Sequence, residues 1–334
     1  RWLGEWFDQI ACRDGVDQRI AEELPWQYQQ AGMNKELIET LTDEAVFENL
    51  FDRDSYELIR YWLDLEENPV PYYERSWNEW RDNSDDEAEL FDSGFRLAEF
   101  LRELGANSPI VTAIYQQSLK TVKKISDDPD RLAVENSMGL HLMNQGNYTE
   151  AEKIFRQGIG ELESLVGRHH PDTLDGINNL AQCLRRLGQF TEAEKLYAEA
   201  LDQRTKLFGH YHERTISSLI GSGTVAEAIG DYDGALKFYE RALKAQNRLY
   251  GEDSEWALGT TQNIGNLLHT KGDLEGAEDL IRKANQGFTS LLGENHPTTL
   301  SSVSSLASLL RAKGDLEGAE ALYRRLLEGR EQAL

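Results

Sequence analysis

Between Leu174 and Leu187 the apolar residues Leu174, Ile177, Leu180, Ala181 and Leu184 recur at intervals of three and four, which lays one apolar stripe along an α-helix. The turn Gly188-Gln189-Phe190 closes this helix A, because glycine enters the left-handed backbone region that other residues resist. A second stripe follows in Ala193, Leu196, Tyr197, Ala200 and Leu201 and makes a helix B, expected to run through Phe208 to Gly209. Its alanines let helix A approach closely, and Tyr197 fills the space beside them. This hairpin repeats. Gly146, Gly188, Gly230, Gly272 and Gly314 stand 42 residues apart, as do Gly167, Gly209, Gly251 and Gly293. Ala151, Ala193, Ala235, Ala277 and Ala319 keep the same step, and so do Phe155, Tyr197, Tyr239, Ile281 and Tyr323. Five units are predicted, at about 130–167, 168–209, 210–251, 252–293 and 294–334. Thr149 with Glu152 and Thr191 with Glu194 have the spacing of a capping box, which sets the expected start of helix B. Ser222 and Gly223 stand where Leu180 and Ala181 stand one unit earlier, so helix A of the third unit is expected to be thinly packed. That would be a weak point in a stack whose stability is a sum of neighbour terms.

Residues 1–129 lack this period and are expected to form a separate acidic helical domain ahead of a solenoid over 130–334. Helices are predicted near 16–31, 34–41, 43–51, 54–66, 71–82, 86–104 and 108–125, with breaks at Gly32, Asn68-Pro69, Asp82-Asn83-Ser84 and Gly105-Ala106-Asn107. Ser84 and Glu87 again have capping-box spacing. No alternating stretch is long enough for a strand, so the fold class is all-α. Tyr73, Trp77 and Trp80 follow helical spacing, with Tyr61 and Trp62 nearby. Large aromatics can anchor a partner, but core packing is the preferred reading, since an exposed patch of that size is uncommon.

The run Leu180-Ala181, Leu184, Gly188, Phe190, Ala193, Tyr197 and Ala200 resembles the signature of tetratricopeptide repeats (TPRs). The common unit has about 34 residues. The longer unit here, with His170-Pro171-Asp172-Thr173-Leu174 and His296-Pro297-Thr298-Thr299-Leu300 at unit starts, is similar to the repeats of kinesin light chains and nephrocystin-3-type proteins. The resemblance implies an α-solenoid, a right-handed superhelix of hairpins, preceded by an irregular helical segment. Upstream, Arg19-Ile20-Ala21-Glu22-Glu23-Leu24-Pro25-Trp26-Gln27, Ala31-Gly32, Leu41-Thr42-Asp43 and Phe47 look like the helical region that follows the nucleotide-binding module of nephrocystin-3-type NACHT proteins, members of the STAND ATPases. By that resemblance the chain is a sensing or scaffolding arm of a larger protein, cytoplasmic, or ciliary if it is a true nephrocystin-3 relative. A cargo adaptor of kinesin-light-chain kind is the alternative. Both ends read as cut from something longer, and the array is expected to continue past Leu334.

Charge narrows the partners. The formal charge is −24, of which residues 1–130, with 30 acidic and 13 basic side chains, carry −17. Phosphate backbones and anionic lipid surfaces are bound by Lys and Arg that displace counterions, so nucleic acid and membrane are excluded in favour of a protein or extended peptide of basic character. Self-association through the full-length protein stays open. Cys12 and Cys183 fit a reducing compartment, not a disulfide framework. No apolar stretch approaches the roughly 20 residues that span a bilayer.

Candidate chemistry is sparse. His169, His170, His210 and His212 recur near one loop of adjacent units, and a metal-dependent hydrolase built on them is the reading from a different class. Capping and turn roles beside helix starts are preferred. Asp82, Asp85, Asp86, Glu87 and Glu89 lack the spacing of a calcium loop and read as a solvated helix start. Neither a phosphate-binding loop nor a nucleophile elbow occurs, so no catalytic residue, metal or cofactor is assigned. The informative surface is the inner side of the A helices. Carrying the family's groove positions over by the repeat places Asn179, Gln182 and Arg186 in the second unit, Gly221 and Thr224 in the third, Asn263 and Asn266 in the fourth, and Ser305 and Ser308 in the fifth. Arg185, His269 and Arg311 lie at the margin. Carboxamides both donate to and accept from a peptide backbone, so this wall suits an extended segment, with plain solvated polar positions as the bland alternative.

Overall fold

The computed structural model describes residues 18–84, 86–106, 108–125 and 129–332; Cys12, Asp85 and Asn107 lie outside them. Among the described residues every regular element is a helix. The chain forms two compact units that divide between Ile154 and Phe155.

The first unit holds Gln18–Ala31 (α1), Asn34–Leu41 (α2), Glu44–Leu65 (α3), Val70–Asn83 (α4), Glu87–Glu103 (α5), Pro109–Ile125 (α6), Pro129–Asn144 (α7) and the start of Tyr148–Leu165 (α8). The break expected between residues 51 and 54 is a kink inside α3 at Asp54, whose extended backbone (φ −164°, ψ 94°) leaves its carboxylate to accept from the Tyr56 N–H. The aromatics are core. Tyr73 and Trp62 are at most 2% exposed, and Phe47 meets Tyr73 edge-on at 5.3 Å between ring centres. Trp62 Nε1 donates to the Tyr73 hydroxyl (3.3 Å), which donates in turn to the Leu41 carbonyl (2.8 Å). Buried so completely, the Tyr73 phenol is held protonated far above its usual range. Gly94 is required where Trp77 crosses α5, because a Cβ there would stand 2.6 Å from the indole.

The second unit continues from Phe155 through Pro171–Arg186 (α9), Phe190–Phe208 (α10), Glu213–Ala228 (α11), Tyr232–Tyr250 (α12), Glu255–Lys271 (α13), Leu274–Leu292 (α14), Pro297–Lys313 (α15) and Leu316–Gln332 (α16). The alternation of A and B helices keeps the predicted 42-residue step, and α10 ends at Phe208 as expected. Gly188, Gly230, Gly272 and Gly314 close the A helices with φ between 77° and 88°, where an L side chain would be strained.

The starts of the helices differ from the sequence reading. Thr191 and Thr149 lie inside α10 and α8, and no side chain caps α10. Downstream B helices are capped by Asp231, Asp273 and Asp315, whose carboxylates accept from the N–H of Gly234, Gly276 and Gly318. A Cβ at each of those glycines would fall within 2.5 Å of the capping carboxylate, so a side chain there would push the cap aside. Asp86, not Ser84, caps α5. The third unit is not thin either. Gly221 and Gly223 admit the rings of Tyr197 and Tyr239, which lie 2.2 and 2.6 Å from where a Cβ would be, and the Ser222 hydroxyl donates to the Ser218 carbonyl.

Candidate functional site

One polar position recurs on each A helix of the second unit: Gln182 on α9, Thr224 on α11, Asn266 on α13 and Ser308 on α15. All four are half-buried, whereas the residues just before them, Ala181, Gly223, Gly265 and Ala307, are buried against the B helices. The 3.6-residue period thus turns one face into the core and holds its neighbour at a wet margin.

The row three residues earlier is less uniform. Asn179, Asn263 and Ser305 are half-buried, but Gly221 is buried under the Tyr197 ring and cannot line a groove. Gln262 Nε2 donates to Ser305 Oγ (3.2 Å), tying α13 to α15. The Thr224 hydroxyl donates to the Gly221 carbonyl (2.8 Å), which leaves its oxygen to accept from a guest.

The marginal residues separate. Arg186 and Arg311 are exposed, and Arg185 and His269 half-buried. Arg185 hydrogen-bonds the Tyr197 phenol, whose pKa burial pushes up to about 12 against that cation. One unit on, Glu227 stands at the position of Arg185 and accepts from the Tyr239 hydroxyl (2.9 Å). These two margin positions therefore also hold a core tyrosine in place.

Three histidines are used at helix starts. His170, His212 and His296 each accept through Nδ1 from the N–H two residues on, at 3.2–3.3 Å, and Ser254 serves the same position of α13. Among the described residues no three of His, Cys, Asp and Glu gather as metal ligands.

Sequence reasoning missed the inner face of the B helices. Arg204 is 2% exposed on α10, yet it donates to the Asn178 side chain, the Ser218 hydroxyl, the carbonyls of Arg214 and Leu174, and the Asp175 carboxylate (2.5 Å). Burial lowers the Arg204 pKa and raises that of Asp175, each opposed by the partner's charge. Asn263 lines a second feature that was not foreseen, a cavity of about 330 Å³ among α11 to α15. The signal that could have exposed both is the series Arg204, Gln246 and Phe288, where the 42-residue step places one charged, one polar and one apolar residue at a buried position.

Residues 175–248, 218–284 and 255–332 match the family described as Tetratricopeptide repeat, and residues 136–206 match a second family of the same description. Nephrocystin-3 of Xenopus tropicalis is 30% identical over 164 residues, an alignment covering 45% of this chain and 12% of that protein. The chain thus spans about an eighth of the length of that relative. A chain of Podosopora anserina described as a kinesin light chain with nearly identical TPR-like repeats superposes with a TM-score of 0.53 at 19% identity, over 62% of this chain and 99% of its own. A STAND protein with a tetratricopeptide repeat sensor, from Pyrococcus horikoshii, gives 0.57 at 13% identity, over 96% of this chain and 54% of its own. At these identities the two structures speak for the fold alone.

Proposed function

Because the chain belongs to the tetratricopeptide repeat family, a family of protein-interaction modules, we propose that it is the partner-binding arm of a larger nephrocystin-3-type STAND ATPase and that its A-helix face holds an extended peptide. The observation that carries this reading is the half-exposed polar row Gln182, Thr224, Asn266 and Ser308, one residue per repeat at matched register. A peptide laid along that row meets a hydrogen-bonding group from each successive A helix, and its main chain can both donate and accept there. The formal charge of −24 favours a partner of basic character. The module acts by holding, not by chemistry, and a nucleotide-driven switch belongs to the ATPase part of such a protein.

The test uses an array of fluorescein-labelled basic 12-residue peptides and the chain as it stands. Peptides that bind the native chain are remeasured with Gln182→Lys/Asn266→Lys, two changes at half-exposed positions. Affinity is expected to fall at least tenfold while helical circular dichroism is unchanged. Equal affinity in the two proteins removes the A-helix face from consideration.

A further inference from the structure

Arg204 fills one inter-repeat site of the second unit, and the residue 42 positions later leaves its site unfilled. The guanidinium of Arg204 is buried between α9 and α11, where Asp175, Asn178 and Ser218 receive it. One period on, Gln246 stands for Arg204, Ser217 for Asp175, Ile220 for Asn178, Trp256 for Arg214 and Thr260 for Ser218. The shorter side chain reaches less far, and the cavity of about 330 Å³ opens beside it, lined by Ile220, Gln246, Glu255, Trp256, Gly259 and Phe288 among others. Such a volume is at the lower end of ligand pockets, which start near 300 Å³. Gly259 keeps it open, for a Cβ added there would meet nothing within 4 Å. Gln246 is 2% exposed, and its Oε1 has no hydrogen-bond partner. That oxygen has under 1 Å² of accessible surface, so it marks a weakened inter-repeat contact beside the cavity and not a contact for a guest.

We propose that this cavity is a guanidinium pocket that receives an arginine side chain of the bound peptide, the guest supplying from outside the group that Arg204 supplies one repeat earlier. The inference rests on the reading of the A-helix face as peptide-binding, because Asn263 of that face also lines the cavity. A guanidinium offers five donors and always carries its charge. The Gln246 side chain forms part of the floor, the Glu255 carboxylate balances the charge, and the indole of Trp256, 67% exposed, lines the cavity beside the cation. Glu252 and Asp253, both exposed, make the adjoining loop acidic. A carboxylate guest would meet the Glu255 carboxylate and be repelled by it.

The probe is N-acetyl-arginine amide, with N-acetyl-citrulline amide as its uncharged match and N-acetyl-glutamate amide as the acidic one. Titrations follow the indole N–H resonance of Trp256, identified by its loss in Trp256→Phe. The arginine amide is expected to saturate with a Kd on the order of millimolar, as suits so small a ligand, and the other two to bind at least tenfold more weakly. Gln246→Arg, paired with Ser217→Asp as Arg204 is with Asp175, brings a resident guanidinium to the cavity and is expected to abolish binding. Glu255→Gln alters only an exposed side chain, so it tests the charge without risk to folding, and at least a threefold weakening is expected. Equal binding of the citrulline amide, preference for the glutamate amide, or unchanged titration in both variants overturns the pocket. Basic peptides that lose affinity with Gln182→Lys/Asn266→Lys but keep it with Gln246→Arg/Ser217→Asp would also remove the pocket while the peptide face stands.

Discussion

At the scale of single residues, the charges that matter are the buried ones. The exposed pairs between neighbouring hairpins, such as Arg156 with Glu192 and Lys313 with Glu278, gain little because water screens them and two long side chains must be held still. Arg204 differs, for at 3% side-chain exposure its charge and the carboxylate of Asp175 depend on each other. Arg204→Ala leaves the Asp175 carboxylate to Arg214 alone and takes a donor from Asn178, Ser218 and the carbonyls of Leu174 and Arg214, and is expected to cost about 3–5 kcal/mol in denaturant unfolding. A loss under about 1 kcal/mol would mean that water replaces the guanidinium. In the first unit His141 is 1% exposed, and its Nε2 stands 2.9 Å from Gln145 Nε2 and 3.1 Å from Thr112 Oγ1, an environment that favours the neutral ring. Burial first, then the Arg102 charge, hold its pKa below 6.5. The unfolded chain therefore binds the proton more readily, and stability contributed by the neutral ring is lost as pH falls through 6.5 toward the folded value. His141→Gln is expected to flatten the stability slope between about pH 7 and 5.5, as read from urea midpoints; an unaltered slope would place the titration elsewhere.

At the scale of elements, helix existence and phase were legible because burial of an apolar stripe decides them, and burial is written in residue order. Helix ends were less so. The capping positions sit two residues from the assigned ones, Asp86 against Ser84 and Gln189 against Thr191, because any Ser, Thr, Asp or His near a start can accept an orphan N–H, and chain geometry selects among them. Spacing alone also misjudged α11, whose small residues looked like missing packing and are seats for tyrosines from α10 and α12. That makes a sharp test. Gly221→Ala places a methyl 2.2 Å from the Tyr197 ring, and overpacking of this kind costs about 1–3 kcal/mol. In a Tyr197→Leu background the same change is expected to cost about 1 kcal/mol less, a coupling that a double-mutant cycle reads directly. Additive effects would show that the ring moves aside freely.

At the scale of the whole molecule, the repeat made the fold readable, and the same regularity hid the site. A 42-residue step predicts which positions face alike, yet the features that distinguish one groove from another are departures from the step: Gly221 under a ring, Gln246 where an arginine stood. These are visible only when side chains from three helices are seen together. The second unit also carries a dynamic expectation. Each hairpin touches mainly its sequence neighbours, so its stability is a sum of local and nearest-neighbour terms, whereas the aromatic core of the first unit joins α3, α4 and α5 through Phe47, Tyr73 and Phe100. Damage at one inter-repeat site should therefore stay local in hydrogen exchange. With Arg204→Ala, amides of α9, α10 and α11 are expected to lose protection first and those of α13 to α15 less, while α3 to α5 keep theirs. Loss of protection spread evenly over both units would mean that the chain opens as one cooperative body, and the additive picture of the repeats would not hold for it.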